Sequence, residues 1–135
     1  MVARQQQRLA LGLPAEEIYG YSQAVQVGDT VFISGQFSHD VAGALLHAGD
    51  CASQCARAFA NLDRVLDGIG AHRRQIVSTT VYVVGLQANL PLVAAAHRSY
   101  FDDGRPASSA LGVAELILPG QLVEIEAVVR LDAAR

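Results

Sequence analysis

From residue 122 the chain alternates without interruption. Leu122, Glu124, Glu126 and Val128 fall on one side, with Val123, Ile125, Ala127 and Val129 on the other. A period of two is that of a β-strand with two distinct faces. Upstream, Gly104–Val129 reads as two strands joined by a tight turn at Pro119-Gly120, because Pro presets the second turn position and Gly tolerates positive φ at the third. Ala24–Val27 and Thr30–Gln36 form a predicted hairpin, with Gly28-Asp29 as a glycine-first II′ turn. Gly43 marks a further turn, with Ala44–Leu46 as a short edge strand. Arg73–Gly85, rich in β-branched residues, is the remaining strand.

The period changes twice. Cys55, Phe59, Leu62, Leu66 and Ile69 step by four, three, four and three, the core stripe of a helix. Asp50 is its predicted N-cap, and Gly68 and Gly70 stop it near Asp67. Asn89 caps a second helix with Pro91 in its first turn, where a missing N–H costs little. Leu90, Val93, His97 and Tyr100 or Phe101 make its inner face, and Gly104 and Pro106 end it. The order of hairpin, helix, strand, helix, strand, strand predicts an α+β domain: a mixed β-sheet with two helices packed on one face. Residues 1–13 show no period and read as a loose lead-in to a single domain over 1–135.

Composition sharpens this picture. A chain of 135 residues buries roughly 65–70% of its unfolded surface as one domain. Hydrophobic residues make up 51% and charged residues only 17%, so part of the surface is expected to be covered by other subunits. Every basic residue is Arg, which excludes a Schiff-base lysine. A net charge of −3 with scattered arginines leaves no footprint for nucleic acid. Cys51 and Cys55, four apart on a helix, are badly placed for a disulfide and are expected to be reduced thiols of a cytoplasmic protein. No apolar run approaches the roughly 18–20 residues of a membrane span. No His, Cys and carboxylate cluster has convincing metal spacing: Asp50 starts the helix between His47 and Cys51, and Cys55 belongs to the core stripe.

Five segments, in order, carry a resemblance. Tyr-Ser-Gln-Ala-Val at 21–25, Val-Phe-Ile-Ser-Gly-Gln at 31–36, Ser-Thr-Thr-Val-Tyr-Val at 78–83, Arg-Pro-Ala-Ser-Ser at 105–109 and Leu-Val-Glu-Ile-Glu-Ala at 122–127 resemble the Rid family of reactive-intermediate deaminases. The likeness covers nearly the whole chain after residue 18. It implies a chorismate-mutase-like fold and a homotrimer in which the sheet face left bare by the helices meets its equivalents. It also implies three sites at the subunit boundaries, no cofactor, and a small-molecule substrate.

The same resemblance assigns residues. Glu124 matches the carboxylate that positions or activates the attacking water, with backbone hydrogen bonding at a subunit seam as the alternative. Tyr21 matches a pocket-lining tyrosine, or else packs only, and Gly35 matches a strand residue whose backbone approaches the ligand. Glu126 matches no catalytic position, and a structural ion pair is expected of it. After Pro106-Ala107 the family has an Arg that clamps the substrate carboxylate. This chain has Ser108 there, a neutral donor, at a cost of about 2–4 kcal/mol or roughly 30- to 1,000-fold in binding. Ser109 could still hydrogen-bond a ligand. Arg105 lies three residues before Ser108, roughly 10 Å away on the opposite side of an extended chain, so it stands in for the clamp only if the loop relaxes. Ala110 and Ala94 occupy positions that are often Cys and Asn in the family. His97, on an apolar helix face, reads as a core histidine and His39-Asp40 as turn chemistry, with acid–base work the alternative for both.

These readings imply a hydrolase or deaminase acting on a small imine or enamine, and not on ordinary 2-imino acids. A trimeric small-molecule binding or sensing protein without turnover is the alternative.

Overall fold

The computed structural model describes residues 6–135. One mixed sheet of six strands runs β1-β2-β3-β6-β4-β5. Its strands are β1 (Gln6–Leu9), β2 (Ala24–Val27), β3 (Thr30–Gln36), β4 (Ile76–Val84), β5 (Ala107–Val113) and β6 (Val123–Arg130). Helices α1 (Cys51–Ile69) and α2 (Leu86–Phe101) supply the cover. The β2–β3 hairpin closes as expected: Val27 pairs with Thr30, and Gly28 takes φ 61° while Asp29 stays on the negative side.

The buried half of the central strands β3, β4 and β6 faces the helices. Val81 and Val83 of β4 and Val123, Ile125, Ala127 and Val129 of β6 are buried with Phe59, Leu62, Val65 and Leu66 of α1. Phe59 stacks on Tyr100 of α2 at 4.4 Å between ring centroids. Along the other sheet face run Phe32, Thr80, Tyr82, Glu124, Glu126 and Val128, partly or largely open, and Phe32 is 54% exposed.

Several sequence expectations need correction. Gln6–Leu9 is no loose lead-in but an edge strand, antiparallel to β2, with Leu9 opposite Ala24; residues 1–5 of that segment lie outside the described part. Leu9 explains Gly68, which sits inside α1 and does not stop it. A Cβ on Gly68 would lie 2.8 Å from Leu9 Cδ2, so glycine lets β1 dock. The stop is Gly70, at φ 69°. Asp50 does cap α1, accepting from the Ser53 N–H at 3.1 Å. By contrast α2 begins after Gly85, a turn earlier than Asn89 suggested. Asn89 lies within the helix and its side chain donates to the Val84 carbonyl at 2.9 Å.

Strand order brings a larger correction. β5 and β6 do not pair with each other: β4 lies between them, parallel to β5 and antiparallel to β6. The Pro119-Gly120 turn is present, with the Gln121 N–H donating to the Leu118 carbonyl at 3.0 Å and Gly120 at φ 84°, but it belongs to a crossover loop. Buried Gln54 of α1 pins that loop, donating to the Gly120 carbonyl and accepting from the Leu122 N–H, both at 2.8 Å. Ala44–Leu46 contributes one bridge, His39 to Leu45, and no strand.

Candidate functional site

Opposite the helices, Glu124 rises from β6 over the end of β3. The pairing of β3 with β6 slips between Ile33 and Gln36, and this bulge leaves Gly35 beneath the Glu124 side chain. A Cβ at Gly35 would lie 2.5 Å from Glu124 Cδ and 2.6 Å from Cγ. Only glycine leaves the carboxyl its place. Burial first, and then the neighbouring charge of Glu126, push the Glu124 carboxyl above the usual carboxylate range, with Gln121 partly offsetting them. Among the described residues no cation pairs with it. Glu126 accepts the Tyr82 hydroxyl at 2.7 Å, so a hydrogen bond from an uncharged donor stands where an ion pair was expected.

A cavity of about 440 Å³ opens beside this carboxyl, lined by Tyr21, Ser34, Gly35, Phe37, Leu118, Glu124 and Glu126, with Tyr19 and Ile117 at its mouth. Tyr21 is held from behind: Gln23 Nε2 donates to its hydroxyl at 3.2 Å and to Glu16 at 2.9 Å. Gln36 donates in turn to Gln23 Oε1 at 2.9 Å. Burial raises the Glu16 carboxyl, but hydrogen bonds from Gln23 and from the N–H groups of Leu11, Gly12 and Leu13 outweigh it and leave the group below its ordinary range. The Tyr21 phenol is shifted up, by burial first and then, against the Gln23 bond, by the charges of Glu16 and Glu124. The buried Gln23–Gln36–Glu16 brace was missed in the sequence, where glutamine gives no periodic signal. The clue was available: two of those residues lie inside the segments that carry the resemblance.

Ser108, Ser109 and Arg105 lie elsewhere. β4 pairs Thr79 with Ser108 and Thr80 with Ser109, and Thr79 faces the helices while Thr80 faces the open side. Ser108 and Glu124 therefore project from opposite faces of the sheet. Ser109 shares the face of Glu124 but stands two strands and two residues away, roughly 12 Å between Cα atoms. Ser108 lines a separate groove of about 470 Å³ between α2 and β5, and Arg105, Arg98, His97, Ala94 and Ala110 line it too. Arg105 and Ser108 thus border one groove, which the extended-chain estimate did not foresee; the loop before Pro106 brings them round. Within one copy of the chain Tyr21, Gly35 and Glu124 line one cavity, Arg105 and Ser108 line another, and Ser109 lines neither.

His97 is no isolated core residue. Its Nε2 is 2.9 Å from Thr79 Oγ1, and the Thr79 hydroxyl donates to Ser108 Oγ at 2.8 Å. Burial lowers its pKa below the ordinary histidine value, which favours the neutral ring. His39 is buried, its Nδ1 2.7 Å from the Asp40 carbonyl, as turn chemistry would have it. Cys51 and Cys55 are free and buried, and burial pushes the Cys55 thiol up to about 12, an inert form. Among the described residues no group of three potential metal ligands exists, and no helix is long and apolar enough to cross a membrane.

A family profile described as Endoribonuclease L-PSP matches residues 14–131. A 2-iminobutanoate/2-iminopropanoate deaminase of Dermatophagoides farinae is 32% identical over 120 residues, 89% of this chain and 92% of that one. The chain belongs to the Rid family. A mouse (Mus musculus) Rid relative, also named 2-iminobutanoate/2-iminopropanoate deaminase, is 36% identical over 108 residues, 80% of this chain and 78% of its own. The solved Rid-family protein YyfA of Yersinia pestis, whose function is described as unknown, superposes with a TM-score of 0.84 at 29% identity, covering 93% of this chain and 99% of that one. The Rid fold is thus shared over nearly the full length, and the two relatives above are named as deaminases of 2-iminobutanoate and 2-iminopropanoate.

Proposed function

We propose that this chain hydrolyses small imines or enamines as a homotrimeric cytoplasmic enzyme. Each site combines Tyr21, Gly35 and Glu124 of one copy with Ser108, Ser109 and Arg105 of the next. The observation that carries the reading is Glu124: a carboxyl with no cation paired to it among the described residues, set over a glycine and held above its usual range beside a cavity of about 440 Å³. Such a group exchanges protons closer to neutrality than a solvated glutamate. Water adds to the C=N carbon while Glu124 takes its proton and returns one to nitrogen. The carbinolamine then collapses to the carbonyl compound, and ammonia or an amine leaves. Backbone N–H groups near Gly35 and Ser109 hold the developing charge.

The two named relatives suggest 2-imino acids; Ser108 argues against them here. A hydroxyl cannot neutralise a carboxylate, and the half-site across from it adds Glu124 and Glu126. Substrates are therefore uncharged near the C=N carbon or anchored elsewhere. The same negative lining and the net charge of −3 speak against RNA, despite the family's ribonuclease label. Binding without turnover is the second reading, favoured by that same serine. The test is ammonia release from freshly generated imines, with uncatalysed hydrolysis subtracted. Glu124→Gln is expected to lower the rate about 100-fold, and Ser108→Arg to improve 2-iminopropanoate by roughly 30-fold or more. Efficient wild-type hydrolysis of 2-iminopropanoate would overturn the substrate assignment. No catalysed release from any imine leaves only the binding protein.

A further inference from the structure

The groove between α2 and β5 holds more chemistry than imine hydrolysis uses. Its walls are apolar, with Val81, Val93 and Phe101 among them, and Arg98 and Arg105 stand at its rim. The ion pairs among the described residues are Arg73–Asp63, Arg74–Asp103 and Arg130–Asp132. Neither rim arginine takes part. Arg105 Nε donates to the Asp102 carbonyl at 3.1 Å, which steadies the guanidinium without neutralising it. Two unneutralised guanidinium groups on one small apolar groove favour an anion, and Arg holds a carboxylate in two parallel hydrogen bonds.

The other polar side chains that line the groove, His97 and Ser108, are joined through Thr79. Neutral His97 has one N–H; because the Thr79 hydroxyl donates to Ser108, it accepts from His97 Nε2–H. The hydrogen of Ser108 is thereby turned away from Thr79 and is free to donate to a ligand. The two arginines therefore suit an acid, the apolar wall an aliphatic chain, and Ser108 a neutral acceptor.

We propose that this groove binds small aliphatic acids, with the acid group at Arg98 and Arg105 and the neutral end at Ser108. This rests on the proposed imine hydrolysis for its consequence: the substrates are imines whose acid group is separated from the C=N carbon by an aliphatic segment.

Hexanoate, hexanamide and acetate, titrated into the full-length protein by calorimetry, separate charge from tail. Hexanoate should bind at least about tenfold more tightly than either of the others, since a charge-assisted contact and a buried chain each contribute that much. Arg98→Gln and Arg105→Gln, both exposed positions, should each weaken hexanoate about tenfold and leave hexanamide unchanged. Equal binding of hexanoate and hexanamide overturns the proposal, as does hexanoate binding that survives the double variant. Hexanoate bound as expected with no imine turned over removes the hydrolase alone. Imines turned over with no preference for the acid-tailed ones removes the acid subsite alone.

Discussion

Gly35 and Glu124 have to be considered as one unit. The carboxyl fills the space a side chain at 35 would need, so Gly35→Ala displaces Glu124, whose flexible side chain can swing away from the strand. Imine hydrolysis should then fall about 100-fold, as for the loss of a positioned acid–base group, while thermal stability changes little. A rate within threefold of wild type would show that the carboxyl does not work from this position. The raised pKa also has a stability sign. The fold prefers protonated Glu124, so its contribution is fully present below the ordinary glutamate value of about 4.3 and is lost as pH rises through the higher folded value. Above that window the ionised carboxyl is a burden. Glu124→Gln should raise Tm at pH 7 to 8, with the gain vanishing below about pH 4. A Tm gain that persists undiminished at pH 3.5 would mean that packing, not charge, was relieved.

At the scale of elements, β1 is the weakest member. It has a partner on one edge only, and its grip on α1 is Leu9 lying over Gly68. Gly68→Ala pits two effects of similar size: about 1 kcal/mol of helix propensity gained against roughly 1–2 kcal/mol of Leu9 packing lost. The expected outcome is a Tm within a few degrees of wild type while β1 peels from the sheet. Backbone amides of β1 that exchange at least tenfold faster by hydrogen–deuterium exchange would show this. Unchanged protection would mean that Leu9 finds another rotamer over the new methyl. β6 is the opposite case. It lies between β3 and β4, and Gln54 of α1 fixes its approach, which suits the strand that carries Glu124.

For the whole molecule, the issue is the bare sheet face. Phe32 is 54% exposed in the middle of the domain, and Leu111 is 47% exposed on the edge strand of the same face. Patches of this kind mark interfaces. Light scattering is expected to give about three times the chain mass of 14.3 kDa. Phe32→Asp should return it to a monomer that keeps its fold but loses imine hydrolysis, because each half-site is then left alone. An active monomer would rule out a site shared between copies.

The sequence by itself determined the elements whose periods are set by burial against a single face. The α1 stripe, the β2–β3 turn and the alternation of β6 are all legible because local geometry and the core demand the same residues. The alternation by itself set Glu124 beside Glu126 on one face of a largely apolar strand, but the role of Glu124, and Gly35 as a candidate at all, were legible only through the resemblance. Neighbours distant in the chain were decided by the tertiary structure. The placement of β4 between β5 and β6, Leu9 over Gly68, and the Gln23–Glu16 brace behind Tyr21 all follow from contacts that no local period records. The same holds for the division of Ser108 and Glu124 between two faces. Which face a strand residue takes is a local matter of alternation, but which strands flank it depends on how the helices cross over the sheet.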